Sequence, residues 1–380
     1  MYVIGPFRPQ GARELALALT VRELGPWISA ACALAALLVV IRLWKQAAGW
    51  MSRIVVSAFF IVTLACACLT HVNIFEIMFH RYDSPAFGNA SGALIDADDK
   101  VLSVSIGSEA HAYPIRTMGY HHIVNDTVGN APIAVTYCTL CHTGLVWSRV
   151  VGGRVLVFRL AGINNGNALM RDEQTGGIWQ QSTGQAIFGA LKGSQLTLVH
   201  SDELTFGLWR KEQPGGLVLQ ADAKYAAEYE AKDWETHIEK THTVIDTGKS
   251  GIPPHELMLG VTVGAQNKAY PVRTILASKL IQDQIDGNSI VILVGPDDSS
   301  IRIFQGNIGT TPMTFVRSAT SADSAASEIM VDSETESQWN FKGCAIAGKL
   351  SGKCLQPLDG HKDYWFDWLN HHPETAVFKN

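Results

Sequence analysis

The chain has 380 residues, 47% of them hydrophobic, with 30 Lys and Arg against 35 Asp and Glu for a formal net charge of -5. That mild balance, with no Lys/Arg-rich stripe, argues against nucleic acid as a partner. The apolar excess lies in the first 80 residues, which leaves about 300 for one large domain or two smaller ones.

Residues 1–23 read as an N-terminal tail. From residue 24 to 41, and again from 54 to 75, there is no Lys, Arg, Asp or Glu. Each stretch approaches the roughly 20 residues a helix needs to cross about 30 Å of hydrocarbon, so transmembrane helices are expected at 24–44 and 54–75. A signal peptide would have a shorter apolar core nearer the start. Arg42, Lys45 and Arg53 flank or fill the connection, which holds no acid. Positive residues stay on the cytoplasmic side. The expectation is a two-pass inner (cytoplasmic) membrane protein whose N-terminus and large soluble region lie outside the cytoplasm, with the lipid bilayer as its partner. Arg8, Arg13 and Arg22 in the tail pull the other way, but are more dispersed and offset by Glu14 and Glu23.

The rest reads as an internal duplication, with one copy at 95–220, a linker at 221–256 and a second copy at 257–380. Gly107-Ser-Glu-Ala-His-Ala-Tyr-Pro-Ile-Arg116 returns as Gly264-Ala-Gln-Asn-Lys-Ala-Tyr-Pro-Val-Arg273. Asp172, Thr175 and Trp179 return as Asp332, Thr335 and Trp339, and Trp209 and Pro214 as Trp368 and Pro373. An ordered series with small drifts in offset is not a chance match. A period this long is no solenoid repeat. Short Val- and Ile-rich runs at 100–106, 131–137 and 154–159, with a hairpin turn at Gly152-Gly153, predict strands. Helical candidates are few: 114–124, its counterpart 271–282, and 205–212 with its counterpart. The fold class expected is two transmembrane helices followed by a mainly β (β-rich α+β) soluble region.

Chemistry concentrates in the first copy. Cys138-Thr-Leu-Cys-His142 follows the strand expected at 131–137, and His121-His122 precede it. In the second copy Gly295-Pro-Asp-Asp-Ser299 and Ser278-Lys279 stand at those places. Thiols and imidazoles vanish together while scaffold residues persist, the pattern of one site on one copy. Two thiolates with a histidine or two make a sulfur–nitrogen set for copper or zinc. Cys138, Cys141 and His122 are therefore candidate metal ligands, with His142 or His121 as fourth. The five letters also spell a c-type haem attachment pattern, with Met118 and Met170 as available distal ligands, although a strand rather than a helix precedes it. Cys32, Cys66 and Cys68 fall in the spans and read as packing residues. Cys344 and Cys354 could pair in an oxidising compartment. Asn164, Asn165 and Asn167 read as turn formers, and His371-His372 as surface residues.

Ala112-Tyr-Pro-Ile-Arg116, His122-Ile-Val-Asn-Asp-Thr-Val128, Pro132-Ile-Ala-Val-Thr-Tyr-Cys138 and Cys141 resemble the bacterial family of unknown function numbered 3179, a likeness that runs over about 95–380. The resemblance implies no activity. It implies Cys-Pro-Leu-Cys where this chain has Cys138-Thr-Leu-Cys141, a variable residue at His142, which weighs against haem, and a single histidine at His122, which makes His121 the less secure ligand.

Four readings stand at this stage. The first is a transition-metal site of unsettled cofactor, copper or zinc. The others are a thiol–disulfide couple at Cys138 and Cys141, a c-type haem protein, and a non-catalytic module that docks a membrane protein partner.

Overall fold

The computed structural model describes residues 8–46, 49–318 and 328–379. The chain divides into two compact units, Met1–Met78 and Phe79–Asn380.

The first unit holds two helices long and apolar enough, by length and composition, to cross a membrane. Helix α1 spans Ala12–Gln46 and α2 spans Trp50–Leu69. At about 1.5 Å per residue, the 35 residues of α1 reach well beyond the roughly 30 Å of a bilayer core. Residues 12–23 of the expected tail are therefore helical; its first seven residues lie outside the described residues. The second helix stops at Leu69 rather than 75. Asn73 accepts a hydrogen bond from the Phe75 backbone and starts a separate short helix, Ile74–Met78.

The second unit is mainly β. Strands β1 (Lys100–Ile106) and β2 (Glu109–Pro114) form a hairpin that leads into α3 (Ile115–His121). A three-stranded meander follows, of β3 (Ile123–Val128), β4 (Ala131–Cys138) and β5 (Thr143–Ser148). Next come four antiparallel strands in sequence order: β6 (Phe158–Asn164), β7 (Asn167–Asp172), β8 (Ile178–Gln180) and β9 (Ala186–Phe188). Strand β10 (Asp202–Thr205) returns to pair with β1 and runs into α4 (Phe206–Glu212). The run expected at 154–159 is split. Arg154–Val155 closes a two-residue hairpin over Gly152 and Gly153, buried Leu156 leaves the ladder, and β6 starts at Phe158. The stretch 221–256 has no strand, and its one α-helix is α5 (Trp234–Ile238).

The same order then recurs. Strands β11 (Leu257–Val263) and β12 (Gln266–Pro271) form a hairpin ahead of α6 (Val272–Ser278). A meander of β13 (Leu280–Ile285), β14 (Asn288–Val294) and β15 (Ile301–Gln305) comes next. Four strands follow, β16 (Phe315–Arg317), β17 (Met330–Asp332), β18 (Gln338–Trp339) and β19 (Ala345–Ala347). Strand β20 (Gly360–Tyr364) returns to β11 and leads into α7 (Trp365–His371). Registers agree as well, since Val101 faces Pro114 as Met258 faces Pro271.

Local chemistry explains the shared frame. Buried Asp172 accepts from the Thr175 backbone and hydroxyl and from the Trp179 indole at 2.6, 2.8 and 2.9 Å. Asp332 does the same for Thr335 and Trp339, at 2.5, 2.8 and 2.8 Å. Each carboxylate locks a tight turn to a buried ring. The two halves are not separate bodies, because one apolar cluster draws Val101, Leu204 and Trp209 together with Val291, Phe304 and Trp339. Across that junction Lys362 meets Glu203 at 2.7 Å. These two occupy equivalent positions, opposite Leu259 on β11 and Leu102 on β1.

Candidate functional site

Strand β4 ends at Cys138, and the chain turns through Thr139, Leu140 and Cys141 before β5 starts at Thr143. The turn closes with His142 at φ 61°, a left-handed conformation uncommon outside glycine and asparagine. It brings the two sulfurs to 2.8 Å, both as free thiols, with Cys138 3% and Cys141 0% exposed. Both face the carbonyl of Gly166, at 3.6 Å for Cys138 and 3.3 Å for Cys141. Gly166 sits in the β6–β7 turn at φ 101°, and a β-carbon there would meet the Phe366 ring at 3.0 Å. Glycine is required on both counts.

The second half completes the site. The Tyr364 backbone N–H donates to the Cys141 carbonyl at 2.7 Å. The Asn167 amide reaches Cys141 Sγ at 3.3 Å and Asp367 Oδ2 at 2.9 Å. The Thr143 hydroxyl donates to Asp363 at 2.9 Å. Asp363 and Asp367 are both buried. Burial and its neighbour Asp367 raise the Asp363 carboxyl well above the usual range. Burial works against the Asp367 charge too, but His371 and the hydrogen bonds from Ser182 and Asn167 outweigh it, so Asp367 holds the negative charge. Burial, then Cys138, push the Cys141 thiol well up, and the charge of Asp367 adds to that. Cys141 is thus held as a neutral thiol rather than as an activated thiolate.

The three histidines expected as ligands face other partners. Both ring nitrogens of His142 are engaged, Nε2 with Glu235 at 2.7 Å and Nδ1 with the Tyr137 hydroxyl at 3.2 Å. His121 meets the His80 carbonyl at 2.6 Å and the Tyr229 hydroxyl at 3.1 Å. His122 donates from Nδ1 to the Tyr137 carbonyl at 3.1 Å and packs on Phe79. Burial holds its ring neutral, with a pKa lowered to about 4. Among the described residues, no group of three or more His, Cys, Asp or Glu side chains could hold a metal ion. Of the expected set Cys138, Cys141, His122, His142 and His121, the structure unites only the two sulfurs. The same commitments at His142 leave no free nitrogen for a haem iron.

The other expectations are met in part. Cys344 and Cys354 form a disulfide. Asn165, at φ 54°, is a turn former as expected, but Asn167 is wholly buried and touches Cys141. His371 and His372 are not simply surface residues. His371 lies 3.4 Å from Asp367, and His372 packs on Trp368 with burial lowering its pKa to about 4. The sequence reading missed Asn167, Asp363 and Asp367. A signal for the acids existed, since their registers in the first half hold Leu204 and Leu208.

Residues 77–375 match the family described as protein of unknown function (DUF3179), and the chain belongs to that family. No curated protein and no solved structure matches the chain.

Proposed function

We propose that this is a membrane-anchored, extracytoplasmic thiol–disulfide protein whose working pair is Cys138 and Cys141. The observation that carries the reading is the 2.8 Å approach of two unpaired sulfurs, while the imidazoles of His121, His122 and His142 are bonded to other groups. Oxidation breaks two S–H bonds and forms one S–S bond. Two electrons and two protons pass to the disulfide of a partner, which leaves as two thiols. The attacking form is a thiolate, so the burial that holds Cys141 protonated also slows its attack.

Two features support a location outside the cytoplasm. Arg42 and Lys45 near the end of α1 and Arg53 in the first turn of α2 favour a hairpin whose turn faces inward. The Cys344–Cys354 disulfide suits an oxidising compartment. The recurring order and register of the two halves support an internal duplication in which the first half kept or gained the thiols and the second became its structural complement.

The test is differential alkylation with peptide mass spectrometry on the full-length chain in detergent, with copper and zinc measured on the same sample. The expected result is a Cys138–Cys141 disulfide that forms with mild oxidant and opens with reductant. Thiols that never pair, or stoichiometric metal that Cys138→Ser removes, would overturn the reading.

A further inference from the structure

A buried thiol pair cannot exchange with another molecule unless something opens. Cys138 and Cys141 are nearly inaccessible; the β6–β7 turn faces both sulfurs, and two further elements pack on the turn that carries them. One is β20–α7, whose Asp363, Trp365, Asp367 and Trp368 are all buried. Moving it would open the core of the second half.

The other is the segment 225–238 between the halves. It pairs with no strand of the body, and Trp234 is its one buried side chain. Its attachments converge on the residues around the thiols. The Trp234 ring stacks on His142 with centroids 5.3 Å apart, and the Glu235 carboxylate meets His142 Nε2 at 2.7 Å. Upstream, the Tyr229 hydroxyl bonds His121, and Arg116 donates to the Glu230 carbonyl at 2.6 Å. Few buried contacts and no ladder hydrogen bonds place such a segment among the first to open.

We propose that residues 225–238 form a strap that gates Cys138, with Trp234 and Glu235 clasping His142 in the closed state. This rests on the thiol reading for its purpose, though not for its test. His142 then has a role without being a ligand: it is the peg, four residues beyond Cys138, on which the strap hangs. Release of the clasp bares the turn to the partner disulfide and leaves the carboxylates of the second half in place.

The experiment uses the full-length, reduced protein in detergent and reads labelling of Cys138 by a small maleimide, resolved by peptide mass spectrometry. Trp234→Ala is expected to accelerate labelling at least tenfold, and Glu235→Gln by a smaller factor. Amide exchange on the wild type supplies a readout that needs no variant. Amides of 225–238 are expected to exchange as a group, faster than those of β4 and β14, and in Trp234→Ala the strand amides keep their wild-type rates. Unchanged labelling in Trp234→Ala, or strap amides no faster than those of β4, overturns the gate. Failure of the thiols to form a disulfide sinks the thiol reading alone, because labelling reports access whatever the sulfurs do.

Discussion

The first half carries Cys138-Thr-Leu-Cys141 from the last residue of β4, and the second carries Gly295-Pro-Asp-Asp298 after β14. The second turn carries its own carboxylate, which bonds within the turn and across to the first half. Asp297 accepts from the Ser300 backbone and hydroxyl at 3.0 and 2.6 Å, and from the Thr205 hydroxyl at 2.6 Å. The cysteine turn lacks such a carboxylate of its own and instead leans on Tyr364, Asp363 and Asp367 from the other half. Docking is reciprocal: the β10–α4 corner of the first half meets the Asp297 turn, and the β20–α7 corner of the second meets the cysteine turn. One geometry therefore serves two ends. Where the turn brings its own carboxylate the contact is scaffold, and where its carboxylates come from the other half it forms a chemical site.

The comparison can be broken most forcefully with acid. Each half has a histidine held neutral where the other has a charged side chain: His122 opposite Lys279, and His361 opposite Asp202 by register. Burial lowers both rings to about 4, whereas an unfolded histidine titrates near 6.5. Between those values the unfolded chain binds more protons. The stabilisation is therefore complete above about 6.5 and is lost as pH falls toward 4. For fully buried His122 that amounts to about 3 kcal/mol across the window. His200, raised chiefly by the hydrogen bond it donates to Asp359, works in the opposite sense. Thermal unfolding of the soluble unit should drop steeply from pH 7 to 4.5, and His122→Asn, which tolerates the left-handed φ of 58°, should flatten the curve. A midpoint that holds steady to pH 5 would contradict this account of the rings.

A second, somewhat smaller effect tests whether the halves share their scaffold energetically. Asp172→Ala and Asp332→Ala each orphan a buried indole N–H, a threonine hydroxyl and a backbone N–H. Each should cost about 3 kcal/mol, measured by urea denaturation of the full unit. Because the two halves share one apolar cluster, both variants should still unfold in a single transition. A loss confined to one half, seen as two transitions, would mean that the halves are separate folding units.

Much of the frame was legible because its signals are local. Val- and Ile-rich alternation located β1 and β4 to within a residue, and the Asp-Thr-Trp spacing marked the turns that lock each four-stranded sheet. The site was legible only in part. Residue type and spacing identify two cysteines that can meet, but not the direction in which an imidazole turns, and all three histidines are claimed by carbonyls, hydroxyls or a carboxylate nearby. Asp363 and Asp367 lie more than 200 residues beyond the cysteines, and no local pattern announces them. Comparison of the halves for what the second lacks points to the thiols. The reverse question, what the second holds in the registers of Leu204 and Leu208, points to the acids.

The smallest expected effect concerns the other cysteine pair, and it isolates the role of position. Cys344 and Cys354 face each other across a bridge in the second half, and Gln185 and Gln195 face each other across the equivalent bridge in the first. The disulfide closes a loop of about ten residues, for which chain entropy gives about 2–3 kcal/mol. Cys344→Ser together with Cys354→Ser should lower stability by about that much and leave Cys138–Cys141 oxidation untouched, since this bridge lies away from the turn that carries the thiols. The converse change, Gln185→Cys with Gln195→Cys, should form a bridge in the first half and stabilise it by a similar or smaller amount. If the inserted pair instead scrambled with Cys138, the thiol site would be open enough to reach a neighbouring sulfur without the strap moving. A clean second bridge would show that the frame accepts an inert disulfide at one place in either half and keeps its reactive pair at another.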